Sequence, residues 1–285
     1  MKRIGIVAKT DRQEARTVVP QLLRWCETRG LLPLCEKETA ALCPETAVAS
    51  AVRSDLPGQV DLLLVLGGDG TLLSMARLVG DLGVPILGVN LGGLGFLAAL
   101  TVEELFPALE AYLEGGLVVE ERMMLAATVW RQGERLSEYV ALNDMAITKS
   151  AMSRIIRLEV AVDGQLATLY RADGLIISTP TGSTAYCLSA GGPIVFPTMD
   201  AVVLTPICSH TLTNRPIVLP ASQRIEVTLL TDQDVMLTAD GQVGFALKAL
   251  DTVEVRRAAA RTRMLRFPQK HFFSVLRTKL KWGER

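Results

Sequence analysis

The stretch Leu62-Leu63-Leu64-Val65-Leu66-Gly67-Gly68-Asp69-Gly70-Thr71-Leu72-Leu73-Ser74-Met75-Ala76 decides the fold class. It begins with Leu62–Leu66, a continuous apolar run with the length of a strand buried on both faces. Gly67-Gly68-Asp69-Gly70 interrupts that run. Apolar residues then return at helical spacing, at Leu72, Met75, Ala76 and Val79. A buried strand that turns directly into a helix is the repeating unit of an α/β layer.

The alternation continues on both sides of this stretch. Arg3–Ala8 is a short apolar run. Ala15, Val18, Val19, Leu22, Leu23 and Cys26 recur at helical spacing, with Asp11 and Glu14 placed as an N-cap pair and Gly30 as a C-cap. Ile86–Val89 is another buried-strand run, and Thr101 with Glu104 reads as a capping box opening a helix through Leu105, Leu109 and Leu113. Strands alternating with helices predict a parallel sheet covered on both faces, Rossmann-like in its layering.

After Glu120 short strands separated by turns dominate. Asp163-Gly164 separates Ile156–Val162 from Leu166–Tyr170, and Asp240-Gly241 separates Val235–Leu237 from Val243–Phe245, both hairpin signals. Ile225, Val227 and Leu229 alternate. The expected architecture is an α/β domain over residues 1–110 and an all-β, sandwich-like domain over residues 111–267. The tail, about residues 268–285, is expected to be helical and to pack back on the first domain.

Composition narrows the function. The 285 residues are 49% hydrophobic and 21% charged, ordinary for a globular chain able to bury a sizeable core. Lys+Arg and Asp+Glu both number 30, so the basic excess of a nucleic-acid or anionic-membrane binder is missing. The cysteine count of 5 is odd, without C-x-x-C spacing, and there are 2 histidines; neither a disulfide framework nor a protein metal site is expected. Arg3–Ala8 reads as a strand and not a secretory signal, and no apolar run is long enough to span a bilayer, so a cytoplasmic location is expected.

Four motifs carry chemistry. In Gly67-Gly68-Asp69-Gly70-Thr71 the glycines let backbone approach a phosphate, and the following helix N-terminus favours an anion. Asp69, at the carboxyl end of a strand, is placed to act as general base or to hold a metal ion. No Lys-Ser/Thr follows as in a Walker A loop, and the Rossmann G-x-G-x-x-G spacing is not met. The second motif is Asn90-Leu91-Gly92-Gly93-Leu94-Gly95-Phe96-Leu97, where Asn90 either meets a ligand or caps its turn. The third is Asn143-Asp144, fit for ribose hydroxyls or for an Asx turn. The fourth runs from Arg171 to Tyr186 through Asp173-Gly174 and Ser178-Thr179-Pro180-Thr181-Gly182-Ser183-Thr184, a cluster of hydroxyls and bare amides able to cradle a polyol or phosphate.

In order, these motifs, with Pro206-Ile207-Cys208-Ser209-His210-Thr211-Leu212-Thr213-Asn214-Arg215-Pro216-Ile217, resemble the bacterial NAD kinase family from about Ile4 to Phe267. The resemblance implies transfer of the ATP γ-phosphate to the adenosine-ribose 2′-hydroxyl of NAD, giving NADP and ADP. It implies Asp69 as general base, with Gly67, Gly68, Gly70 and Thr71 at the phosphates. It implies NAD contacts from Asp69, Gly70, Asn143, Asp144, Arg154, Arg171, Asp173, the segment Thr184, Ala185, Tyr186, Cys187, Leu188, Ser189, and Gln242. Mg²⁺ or another divalent ion is expected to arrive with ATP, and a homodimer or homotetramer is expected. Two alternatives stand beside this: an NAD-binding sensor without catalysis, and a lipid kinase sharing only G-G-D-G.

Overall fold

A computed structural model describes residues 2–150 and 153–282. The chain divides into two compact units, residues 1–121 with 262–285, and residues 122–261.

The first unit holds β1 (Arg3–Ala8), α1 (Gln13–Thr28), β2 (Leu32–Glu36), α2 (Lys37–Ala40), β3 (Ala49–Ala51), β4 (Leu62–Leu66), α3 (Asp69–Val79), β5 (Ile86–Val89) and α4 (Leu105–Glu114). Its sheet is parallel, in the order β3-β2-β1-β4-β5, with Met264 beyond it lying parallel to Ile86. Every residue of β4 and β5 is buried, which is why both read as unbroken apolar runs. α1 buries the stripe Ala15, Val18, Val19, Leu22, Leu23 and Cys26 against that sheet's core. Its N-cap is Arg12, with no side-chain cap, so the predicted Asp11–Glu14 pair does not form; Asp11 instead faces Lys9 at 3.7 Å. Gly30 follows the helix with φ +63° and donates to the Glu27 carbonyl. Glu104 accepts the Thr101 N–H at 2.9 Å ahead of α4. From the tail, Lys270 Nζ donates to the Ala99 carbonyl at 2.7 Å and pairs with Glu104, and a helix covers Phe272–Leu280.

Register sets the site. Ala8 pairs with Leu66, and Leu66 with Val89, so three strands end side by side. The chain leaves β1 toward β2 on one side and returns to β4 on the other. This reversal is the switch point where open α/β sheets take ligands. Lys9, Gly67 and Asn90 therefore start three adjacent loops on one edge.

The second unit is all β. It contains β7 (Glu134–Ala141), β8 (Asp144–Lys149), β9 (Ile156–Val162), β10 (Gln165–Ala172), β11 (Gly174–Ser178), the short helix α5 (Tyr186–Ser189), β12 (Ala201–Ile207), β13 (Ile217–Pro220), β14 (Ile225–Leu229), β15 (Val235–Ala239) and β16 (Val243–Leu247), with the greater part of β6 (Val118–Arg131) and β17 (Thr252–Arg266), whose residues 118–121 and 262–266 fall in the first unit. One antiparallel sheet runs β13-β12-β11-β8-β15-β16; against it lie β10-β9-β14-β17, with β6 and β7. Leu125, Val129, Ile147, Leu158, Leu175 and Val253 belong to one buried cluster between them. Asp163 and Gly164 take φ +50° and +79°, the left-handed pair a two-residue hairpin needs. β11 is buried on both faces because Cys187 and Val195, from the chain after it, pack with Ile176 and Val203 on its outer side.

Candidate active site

The first unit's edge holds a cavity of about 220 Å³, lined by Gly67, Gly68, Asn90 and Gly92 together with Lys9 and Arg12. The backbone stitches the loops together. Lys9 N–H donates to the Leu66 carbonyl at 2.8 Å, and Gly67 N–H to the Val89 carbonyl at 2.9 Å. Asn90 Oδ1 accepts the Gly92 N–H at 2.9 Å, so that atom caps its own turn.

Asp69 is the first residue of α3, where a carboxylate complements the helix dipole. Its side chain reaches the second glycine loop. Oδ2 accepts Phe96 N–H at 2.9 Å, and Oδ1 accepts Leu97 N–H at 3.1 Å and Ala98 N–H at 3.0 Å. A carboxylate has about four acceptor positions. Among the described residues Oδ1 takes two of these donors and Oδ2 one. Gly70 is exposed beside it; Thr71 is half-buried, its N–H on the Gly68 carbonyl at 3.1 Å.

The second unit carries a cavity of about 550 Å³, lined by Asn143, Asp144, Ala185, Tyr186, Thr238 and Asp240 among others. Asp240 organises it. Its carboxylate accepts Leu142 N–H at 3.2 Å, Asn143 N–H at 2.7 Å and Asp144 N–H at 3.3 Å, fixing the turn that leads into β8. Burial pushes the Asp144 carboxyl up to about 7, and the Asp240 charge adds to the rise. Asn143 Oδ1 is a buried acceptor without a hydrogen-bond partner among the described residues. Such an atom costs stability unless something donates to it.

The segment 184–189 divides by side-chain direction. Tyr186 is exposed and borders the cavity with Ala185, and Thr184 is half-buried with Oγ1 on the Thr181 carbonyl at 3.3 Å. Cys187 is fully buried against β11 and β12, its Sγ 3.3 Å from Thr205 Oγ1, so its side chain is a core group. Leu188 is half-buried and Ser189 exposed.

Other residues singled out in the sequence stand apart from this lining. Asp173 is 3.7 Å from Lys149 Nζ, and Lys149 borders the cavity. Arg171 is exposed on β10 and pairs across the ladder with Arg157. Arg154 is exposed, with its N–H on Gln233 Oε1 at 3.3 Å. Gln242 is exposed beyond Gly241, with its N–H on the Ala239 carbonyl at 3.0 Å. Lys9, Arg12, Lys149 and Asp240 belong to the lining but to none of the quoted motifs as ligands; only the fold brings them there.

Comparison with known proteins agrees in both halves. Residues 4–117 match the ATP-NAD kinase N-terminal domain, and residues 142–267 the ATP-NAD kinase C-terminal domain. The chain is 53% identical over 286 residues to the NAD kinase of Geobacter sulfurreducens and 52% identical over 286 residues to that of Geobacter metallireducens, in each case covering 100% of both chains. Among solved structures, yeast NADH kinase complexed with NADH is similar with a TM-score of 0.91 at 24% identity, covering 100% of this chain and 89% of that one. An NAD kinase from Archaeoglobus fulgidus in complex with ATP is similar with a TM-score of 0.76 at 23% identity, covering 98% of each chain.

Proposed function

The chain belongs to the ATP-NAD kinase family and is a phosphotransferase acting on NAD with ATP, and from that premise we propose which residues carry the transfer. Asp69 accepts the proton of the adenosine-ribose 2′-hydroxyl as the new P–O bond forms. Asn143 and Asp144 hold ribose hydroxyls of NAD. Gly67, Gly68, Gly70 and Thr71 receive the donor phosphates.

The observation that carries the base assignment is the Asp69 carboxylate, held by three backbone donors with a single one of them on Oδ2. Three backbone donors fix the carboxylate's orientation, and a carboxylate's capacity of about four acceptor positions allows it a further hydroxyl donor. A 2′-hydroxyl is a weak nucleophile at neutral pH, so removal of its proton in the transition state accelerates attack. On the acceptor side, the unpartnered Asn143 Oδ1 fits a hydroxyl donor. Ionised Asp144 accepts from hydroxyls without offering a competing proton. Tyr186, exposed at the cavity mouth, offers a ring face to a base or ribose. Asp173, Arg154, Arg171, Gln242 and the backbone of 184–189 complete the proposed NAD contacts, with Cys187 contributing main chain only.

Charge neutralisation at the transferred phosphoryl group is the other requirement of the reaction. Mg²⁺ or another divalent ion carried on the ATP phosphates is part of the proposal. When bound, the ion would withdraw charge from the phosphate oxygens.

Self-association as a homodimer or homotetramer belongs to the same proposal. The sheet edges support it: Ile217 and Val218 on β13, and Leu166 and Leu169 on β10, are exposed apolar residues on terminal strands. A cytoplasmic location is proposed from five free cysteines; no helix among the described residues is long and apolar enough to cross a membrane.

The test is Asp69→Asn, assayed with MgATP and NAD and read by an NADP-specific dehydrogenase. Turnover should fall by about 10²–10⁴-fold, while NAD binding by calorimetry stays within a few-fold. Near-normal kcat in this variant would remove Asp69 from the role of base.

A further inference from the structure

We propose that Lys9 and Arg12 form the cationic wall of the donor site and bind the phosphate chain of ATP. This rests on taking the first unit's cavity as the place where donor phosphates lie. Neither residue belongs to a glycine motif, and Lys9 and Leu66 are 57 positions apart in the sequence (66 − 9). The parallel register brings the two loops together, because β1 and β4 end side by side and Lys9 N–H bonds to the Leu66 carbonyl at 2.8 Å.

Three observations converge. First, both cations line the same cavity as the bare backbone of Gly67, Gly68, Gly92 and Gly93. A Cβ placed on Gly67 would stand 3.4 Å from Lys9 Cβ, so the Lys9 stem starts directly beside the first glycine of the motif. Second, the charges are largely uncommitted. Arg12 has no hydrogen bond or ion pair from its side chain among the described residues, and Lys9 has only Asp11 at 3.7 Å, where both side chains are exposed. An exposed pair of this kind holds its lysine weakly, and a phosphate oxygen competes with it readily. Third, positive charge from the protein suits the reaction beside that of the metal ion. The chain has no Walker lysine, while several negative charges must be gathered and shielded as the phosphoryl group moves. Lys9 supplies a mobile point charge, and Arg12 a planar fork matched to phosphate oxygens. Arg12 is the N-cap of α1 and its N–H bonds to the Lys9 carbonyl at 3.2 Å, so both stems leave one tight turn.

The chemistry recognised is a polyphosphate chain, whichever group terminates it. Inorganic tripolyphosphate, which has the phosphates and lacks the nucleoside, is therefore the probe. Its binding to the wild-type chain and to Lys9→Met, Arg12→Leu and the double variant is measured by calorimetry at fixed free Mg²⁺, with ATP competition confirming a shared site. Each single variant should weaken tripolyphosphate about tenfold, and KM for ATP should rise by a similar factor while KM for NAD stays within twofold. Lys9→Arg should recover most of the loss and Arg12→Lys only part of it, since it keeps the charge and loses the fork, and thermal melts unchanged by the substitutions separate binding from folding. Equal tripolyphosphate affinity in the wild type and the double variant would overturn the assignment, as would a loss of NAD affinity equal to that of ATP. Failure of the wild-type chain to phosphorylate NAD strikes the proposed function instead, since the calorimetric arm needs no turnover.

Discussion

The carboxylate of Asp69 accepts the backbone N–H of Phe96 at 2.9 Å, tying the first residue of α3 to the end of the second glycine loop. Leu97 and Ala98 add two more donors, so two motifs that the sequence presents separately form one rigid corner. Gly95 makes the approach possible. A Cβ on that residue would overlap Asp69 Oδ1 and crowd Asn90 Nδ2 at 3.1 Å. Gly95→Ala must push the carboxylate off its three donors. Misplacement of a reacting group by about 1 Å costs on the order of 10² in rate. The expected result is a drop in kcat of that size with NAD affinity retained. Faster hydrogen exchange at the Phe96, Leu97 and Ala98 amides should accompany it. Full kcat together with unchanged exchange would show that the corner tolerates the methyl group and that Gly95 is not needed for the approach.

Asp144 gives the NAD side a pH dependence with a definite sign. Burial, helped by the Asp240 charge, raises its carboxyl to about 7, against roughly 3.9 in an unfolded chain. The folded state therefore binds more protons than the unfolded state between those two values, and stability falls as pH rises through that window. Replacement by Asn removes the titration. Asp144→Asn should lose less stability than the wild type between pH 4 and pH 7, as read by urea unfolding at each pH. Function runs the other way. If ionised Asp144 accepts ribose hydroxyls, NAD affinity should rise about tenfold from pH 6 to pH 8 as the ionised fraction grows, and Asp144→Asn should flatten that profile. A wild-type profile as flat as the variant's would take Asp144 out of NAD binding.

Gly182 plays for Asn143 the part that Gly95 plays for Asp69. A Cβ on Gly182 would overlap the Asn143 carbonyl oxygen, and Thr179 N–H already binds that oxygen at 2.8 Å. The turn is backbone packed on backbone, with no flexible side chain to give way. Gly182→Ala should cost about 1–3 kcal/mol of stability by overpacking, and should raise KM for NAD at least tenfold by displacing Asn143. KM for ATP should stay near the wild-type value. Equal rises for both substrates, measured in the same coupled assay, would count against a local effect on the NAD side.

Much of this architecture was legible because apolar patterning is a direct record of burial. Leu62–Leu66 reads as a strand covered on both faces and is one, and Asp163-Gly164 reads as a hairpin and takes the left-handed angles required. The corner at Asp69 was not legible. Its donors are the main-chain N–H groups of Phe96, Leu97 and Ala98, which every non-proline residue carries and no residue type announces. Asp240 shows the same limit: its hairpin position marked it as a turn residue, while its carboxylate holds three N–H groups of residues 142–144. The resemblance implies NAD contacts along the whole of segment 184–189. Its helical turn sends Cys187 into the core and leaves Tyr186 exposed. The family match also removes the lipid-kinase alternative, which rested on G-G-D-G alone.

The second unit is braced away from its cavity by a buried ion pair, and this gives the last prediction. Asp251 is fully buried and Arg131 binds it as a fork, Nε to Oδ1 and Nη2 to Oδ2, both at 2.7 Å, while Lys248 N–H donates to Oδ2 at 2.8 Å. Burial pushes the Asp251 carboxyl up, but the Arg131 hydrogen bonds, the Lys248 N–H and the two nearby positive charges outweigh it and hold it below its usual range. Arg131→Met leaves a buried carboxylate without its cation and lowers stability. The stabilisation from a lowered carboxyl is present above the unfolded value and disappears as pH falls through the folded one. The gap between wild type and Arg131→Met should therefore be full at pH 7 and shrink below about pH 4. Urea unfolding at pH 7 and at pH 3 reads both points. A gap that keeps its size in acid would mean that the arginine acts by packing its stem, and that its charge on Asp251 contributes little.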